Sequence, residues 1–206
     1  MDFAYDLSVL EYLKKKDKKL GEMIDLIGPI QRGINPDLFE SLVSSIVAQQ
    51  ISGKAFETVF TRLKQKTEMT PKGILNLSDE AIQSCGMSLK KVSYIKGAAE
   101  YFSHTDIDIL KSMSDEDLIK HLVELKGIGT WTAEMLLIFS LNRMNVLSKK
   151  DLAIRRGISM LYHHKEVTDA LLDKYLKRYT PYASLASLYL WEISSGRYGH
   201  VDYQQK

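Results

Sequence analysis

Apolar side chains recur three and four positions apart along most of this chain, and no run alternates apolar and polar residues over the length of a strand. In "NPDLFESLVSSIVAQQ", Leu38, Phe39, Leu42, Val43, Ile46 and Val47 make one stripe of a helix. Asn35 and Pro36 just before it read as N-cap and first helical residue, since Asn can accept an orphan amide and Pro presets φ. Thr70-Pro71, Ser78 and Ser114 read as further helix starts, the last with Asp117 three positions on as in a capping box. Gly86 and Gly127 read as helix stops. The pattern predicts an all-α protein of roughly ten or more short helices. With 206 residues and no tandem repeat or low-complexity linker, the chain reads as one compact body, of one large domain or two helical lobes.

Charge narrows the function classes only slightly. Twenty-eight Lys+Arg stand against 26 Asp+Glu, a net +2, so no polyanion-binding tail is present and any basic surface must come from local clustering. The single Cys85 excludes an internal disulfide, a multi-cysteine zinc site and a four-cysteine iron–sulfur cluster. A reducing, cytoplasmic setting is expected. The first residues, "MDFAYDLSVLEYLKKKDKKL", carry early acids and no sustained apolar core segment, and no later run reaches the ~20 apolar residues of a membrane span. A soluble, unprocessed chain is expected.

One loop is nearly devoid of side-chain chemistry. "LKGIGTW", residues 125–131, joins the helical patterns "SDEDLIKHLVEL" and "TWTAEMLLIFSL". Gly127 and Gly129 permit positive φ and a close approach of another backbone, and the next helix opens with free N–H groups and a positive dipole end. Such a loop can seat a phosphate, with Ile128 turned into the core to pin it. A plain tight turn between helices accounts for the glycines equally well. Downstream, Asp151 in "NVLSKKDLAIRRGISMLY" reads either as an ordinary helix N-cap or as a reacting carboxylate. The roles are compatible, because the positive end of a helix favours negative charge. His163-His164 suggests a metal, but adjacent helix positions diverge and no carboxylate–histidine array accompanies them, so that reading is rejected.

"LKGIGTWTAEML", the Asp151 segment, "FESLVSSIVAQQISGKAFETVFTRL", "GMSLKKVSYIKGAAEYF" and "PYASLASLYLWEISSG" together resemble the helix-hairpin-helix (HhH-GPD) DNA glycosylase superfamily, nearest its 3-methyladenine DNA glycosylase II branch. The resemblance spans roughly residues 30 to 196 and rests on the order and spacing of the five segments. It implies one glycosylase domain over residues 1–206, with two helical lobes around a cleft: lobe 1 about 31–130 including the hairpin, lobe 2 about 1–30 plus 131–206. Asp151 is the catalytic aspartate it implies, and Trp131, Trp191 and Met135 the base pocket. Gly127, Ile128, Gly129 and Thr130 would hold a DNA phosphate, Gln50 would sit where relatives insert a wedge, and Lys54, Lys149, Lys150 and Arg155 would meet further phosphates. The carbonyls of Val123, Leu125 and Ile128 would hold a structural Na+ or K+, and no other cofactor is implied. The expected partner is damaged double-stranded DNA, with no membrane and a monomeric protein; the location is cytoplasmic, nucleoid-associated if the source is bacterial. Two departures stand out. The family's usual proline before the aspartate is replaced by Ser148-Lys149-Lys150, and the N-terminal β-rich domain of some members is expected to be absent.

Alkylation at purine N3 or N7 already makes the base a cationic leaving group, so the implied enzyme need only stabilise the oxocarbenium-like sugar. At ~4 Å and an effective dielectric near 20, an ionised carboxylate supplies about 4 kcal/mol, roughly a thousandfold in rate. A cationic base on an indole gains ~2 kcal/mol in a dry pocket. Relatives that also nick DNA carry a lysine just after the hairpin; here Trp131 stands in that place, while Lys126 precedes the hairpin. The expected activity is therefore a monofunctional glycosylase that excises 3-methyladenine and 7-methylguanine. A non-catalytic, structure-specific DNA-binding protein and a bifunctional glycosylase/lyase for oxidised bases are the alternatives.

Overall fold

The computed structural model of the chain describes residues 1–198. They form two compact units, one from residues 35–141 and one that combines residues 1–34 with the chain from 142 onward. Helices α1 (Leu7–Lys16) and α2 (Lys18–Ile27) open the second of these. The 35–141 unit holds α3 (Leu38–Ala48), α4 (Gly53–Lys66), α5 (Pro71–Asn76), α6 (Asp79–Gln83), α7 (Leu89–Ser103), α8 (Ile107–Ser112), α9 (Asp115–Val123) and α10 (Thr130–Phe139). The chain then returns with α11 (Leu152–Tyr162), α12 (Asp169–Tyr179) and α13 (Ala183–Ser194). Among the described residues the only β pairing is an isolated bridge between Asp2 and Gly33, so the expected all-α class is observed.

Helix starts follow local polar chemistry. Thr70, Ser78 and Ser114 each accept a backbone amide from their own first turn, as expected, and the Ser114 hydroxyl also donates to Asp117 at 2.7 Å. The start of α3 needs correcting: Asp37 is the N-cap, accepting from Glu40 N at 2.8 Å, while Asn35 accepts from Asp37 N at 3.0 Å. Asn35 closes a turn one step upstream and delivers a better-placed carboxylate to the cap. Gly86 and Gly127 have φ of 111° and 90°, in the turns that follow α6 and α9. The unit boundary also differs from the expected break near residue 130. It falls after Leu141, because α10 folds back on α9 and α3.

The 35–141 unit is organised by α3, whose stripe of Leu38, Phe39, Leu42, Val43, Ile46 and Val47 is wholly buried and packs on α7, α4 and α10. In the other unit α13 is buried from Ala183 to Leu190 and lies along α11. Mid-helix Gly157 makes that contact tight: a Cβ on it would lie 2.3 Å from the Leu190 carbonyl oxygen. Glycine within a helix costs about 1 kcal/mol relative to alanine, and here it lets two backbones approach closely. Replacing Gly157 by Val forces these helices apart, and a loss of about 1–3 kcal/mol of unfolding free energy is expected in urea titrations.

Candidate active site

Asp151 caps α11, its Oδ1 accepting from Ile154 N at 2.9 Å. The same oxygen accepts from Trp191 Nε1 at 3.1 Å, and the residue is only 7% exposed. Trp191 follows Leu190, whose carbonyl touches Gly157, so the helix packing places the indole N–H against the carboxylate. Two converging donors hold the carboxylate in one rotamer.

The stretch leading to Asp151 lacks the expected proline and is held by hydrogen bonds instead. Buried Ser184 accepts from Val146 N at 2.9 Å and donates to the Arg143 carbonyl at 2.6 Å, while its own amide donates to the Met144 carbonyl at 3.0 Å. The hydroxyl of buried Ser187 lies 2.9 Å from the Ala183 carbonyl and 3.1 Å from that of Val146. Arg155 completes the fastening. Its Nε donates to the Lys149 carbonyl at 2.7 Å, and its terminal nitrogens bond the Val167 carbonyl and Asp169. Arg155, expected to meet a phosphate, directs these donors to the loop before Asp151 and to the start of α12. Lys149 pairs with Asp173 at 2.5 Å, and Lys150 is exposed.

In the 35–141 unit the glycines of the hairpin have different tasks. Gly127 has positive φ, and a Cβ there would lie 2.3 Å from the Tyr94 ring; its carbonyl accepts from Gln49 Nε2 at 2.7 Å. Gly129 has an ordinary φ of −97°, and a Cβ on it would meet nothing within 4 Å. The fold needs glycine at the first position only. Ile128 between them is buried, and α10 starts at Thr130 with no side-chain cap on its N-terminus. Amides at such an end attract anions. The Leu125 carbonyl, one of three expected to face a cation, accepts from Ile128 N at 3.0 Å.

Trp131 is 47% exposed, and Met135, one turn on, is half-buried. Gln50 is exposed with φ of 58°, a left-handed conformation that few non-glycine residues adopt. Lys54 is exposed in the first turn of α4. Beneath the Gln50 turn, Lys91 Nζ donates to the Val47 carbonyl at 2.7 Å and the Gln49 carbonyl at 2.6 Å, and burial pulls its ammonium below the usual lysine value. His164 bonds Tyr175 Oη at 2.8 Å, while His163 ends α11 in a left-handed turn, so the pair serves the fold.

Sequence reading missed Gln49, Lys91, Tyr94, Ser184, Ser187 and Gly157. Only Gly157 left a local signal, being a glycine inside a helical pattern that no turn explains.

The glycine hairpin thus opens an uncapped helix, and the Asp151 carboxylate that caps α11 is tethered by an indole N–H. Residues 43–181 match the model of the HhH-GPD superfamily of base excision DNA repair proteins, and the chain belongs to that family. It is 32% identical over 194 residues, 89% of this chain and 85% of the relative, to DNA-3-methyladenine glycosylase 1 of Schizosaccharomyces pombe. The crystal structure of a DNA-3-methyladenine glycosidase from Bacillus halodurans superposes with a TM-score of 0.83 at 35% identity, over 90% of this chain and 88% of that one. The S. pombe 3-methyladenine DNA glycosylase in complex with abasic DNA superposes with a TM-score of 0.74 at 32% identity, over 91% and 97% of the respective chains.

The division of labour in the hairpin gives a paired prediction. Gly127→Ala meets both the Tyr94 ring and a strained φ, and its melting temperature should fall by several degrees. Gly129→Ala should melt like wild type yet bind damaged and undamaged duplexes about tenfold more weakly in fluorescence anisotropy, as expected when a methyl blocks an amide–phosphate contact.

Proposed function

We propose that this protein is a monofunctional DNA glycosylase that hydrolyses the N-glycosidic bond of alkylated purines, 3-methyladenine and 7-methylguanine, extruded from duplex DNA. The observation that carries the reading is the buried Asp151 carboxylate held by Ile154 N and Trp191 Nε1. A protein that only bound DNA would have no use for a buried, oriented charge beside an indole. The family and the named relatives support the same reading.

In this mechanism the hairpin amides around Gly129 hold a phosphate, and Lys54 and Lys150 add charge along the backbone. Gln50 enters the stack as the nucleotide turns out, at a cost of a few kcal/mol. Trp131 with Met135 is assigned to the base, and Trp191 keeps its place beside Asp151. As the bond from C1′ to the base nitrogen breaks, its electron pair leaves with the base and cancels the positive charge there. The developing sugar cation is stabilised by Asp151. Water then bonds to C1′, and its proton passes to the carboxylate or to solvent. A Na+ or K+ on the carbonyls of Val123, Leu125 and Ile128 would stiffen the hairpin, sharing the Leu125 oxygen with the Ile128 amide; no chemical step passes through it. The protein is proposed to act as a monomer in the cytoplasm, on nucleoid DNA if bacterial. No helix of the described residues is long and apolar enough to cross a membrane.

Asp151→Asn removes the charge, while Asn also caps helices and keeps an oxygen for Ile154 N and Trp191 Nε1. Base release from 7-methylguanine DNA should fall by roughly a thousandfold. Trp191→Phe, which loses the N–H but keeps a ring, should lose about tenfold, the value of one hydrogen bond to a charged group. An Asp151→Asn enzyme within threefold of wild type would remove the carboxylate from the mechanism.

Trp131 occupies the position after the hairpin and its indole nitrogen has no basic lone pair. The product should thus be an intact strand with an abasic site, cut only after alkali, and borohydride should trap no covalent complex. Strand incision without base, with borohydride capture, would favour the glycosylase/lyase alternative.

A further inference from the structure

Two left-handed turns in the 35–141 unit are joined by a single hydrogen bond. One is Gln50, with φ of 58°; the other is Gly127, with φ of 90°. Between them the Gln49 carboxamide donates from Nε2 to the Gly127 carbonyl at 2.7 Å. A left-handed conformation is costly for a residue with a Cβ and persists only where neighbours over-determine it. The exposed Gln50 side chain is not buried in compensation, so the constraint comes from either side of it. Gln49 reaches to the hairpin, and the Lys91 ammonium gathers the Val47 and Gln49 carbonyls at the end of α3. α3 is buried along its whole stripe and α7 carries Lys91 and Tyr94, so both anchors stand on rigid elements.

Resting on the glycosylase reading above, we propose that Gln49 is a positioning residue for base extrusion. Its carboxamide fixes the register between the phosphate-binding hairpin and the Gln50 turn, and Lys91 braces that turn from beneath. A residue that enters a base stack must lie at a set distance from the phosphate its own protein holds. A misplacement of about 1 Å is enough to erode a geometry-dependent step severely. The adjacent glutamines thus divide the work: Gln49 points inward to the hairpin, and Gln50 is presented outward.

The experiment uses the full chain and single-turnover base release at saturating enzyme. One duplex carries 7-methylguanine in a normal pair; a second carries it opposite a mismatched base, where extrusion is easier. Gln49→Met keeps the side-chain volume and loses the donor. Its rate on the paired duplex should fall about tenfold, with a change of less than about twofold on the mismatched duplex, the most one neutral hydrogen bond supports when only extrusion depends on it. Placed on Gln50→Ala, the same substitution should add almost nothing, because Gln49 acts through Gln50. Lys91→Met should reproduce the pattern, which serves if Gln49→Met melts early. Equal losses on both duplexes, additive losses in the double variant, or no loss in either single variant would overturn the proposal while wild type remains active. Wild-type protein that releases no base from either duplex overturns the glycosylase reading itself, and this inference with it.

Discussion

The contact between Gly157 and the Leu190 carbonyl governs the geometry of the buried Asp151 carboxylate. Because no side chain intervenes, α13 lies against α11 closely enough for Trp191 to reach Asp151 with its indole N–H. A longer separation would take the indole N–H out of reach of the carboxylate. A helix-weakening glycine thus stands where it shortens the distance between the Trp191 donor and its Asp151 acceptor. α13, buried along most of its length, is a rigid support for that donor.

The same unit shows how a missing proline is offset. A proline would stiffen the Asp151 loop through φ alone. Here buried Ser184 and Ser187 bind the backbone between Arg143 and Val146, and Arg155 binds the Lys149 carbonyl. Those bonds restrict the loop from the folded side rather than in the unfolded chain, so this rigidity depends on α13 and α12 being in place. Arg155, one turn from the aspartate, also bonds Asp169.

On the 35–141 unit, bare backbone does work that side chains usually do. Gly127 makes the turn and Tyr94 fills the space its missing Cβ leaves, whereas Gly129 has an unstrained φ and faces open space. The first glycine answers to the fold. The second leaves the start of an uncapped helix accessible to an anion. The Gln49 bond links the hairpin to the turn at Gln50, so the two share one frame.

Sequence alone determined what local chemistry decides: the helical class, the caps at Thr70, Ser78, Ser114 and Asp151, the buried stripe of α3 and the burial of Ile128. The five family segments were legible for a similar reason, since their order and spacing lie along the chain. Tertiary structure decided which neighbour does which job. Asp37 rather than Asn35 caps α3, Gln49 rather than Gln50 turns inward, Arg155 bonds the loop before Asp151, and α10 belongs with α9 and α3. Each depends on a partner that composition and period do not reveal: Trp191 lies 40 residues from Asp151, and Gly127 lies 78 from Gln49. A helix cap is chosen among a few adjacent amides, but a buried donor finds its acceptor only after apolar packing has brought distant backbone within 3 Å or so of it.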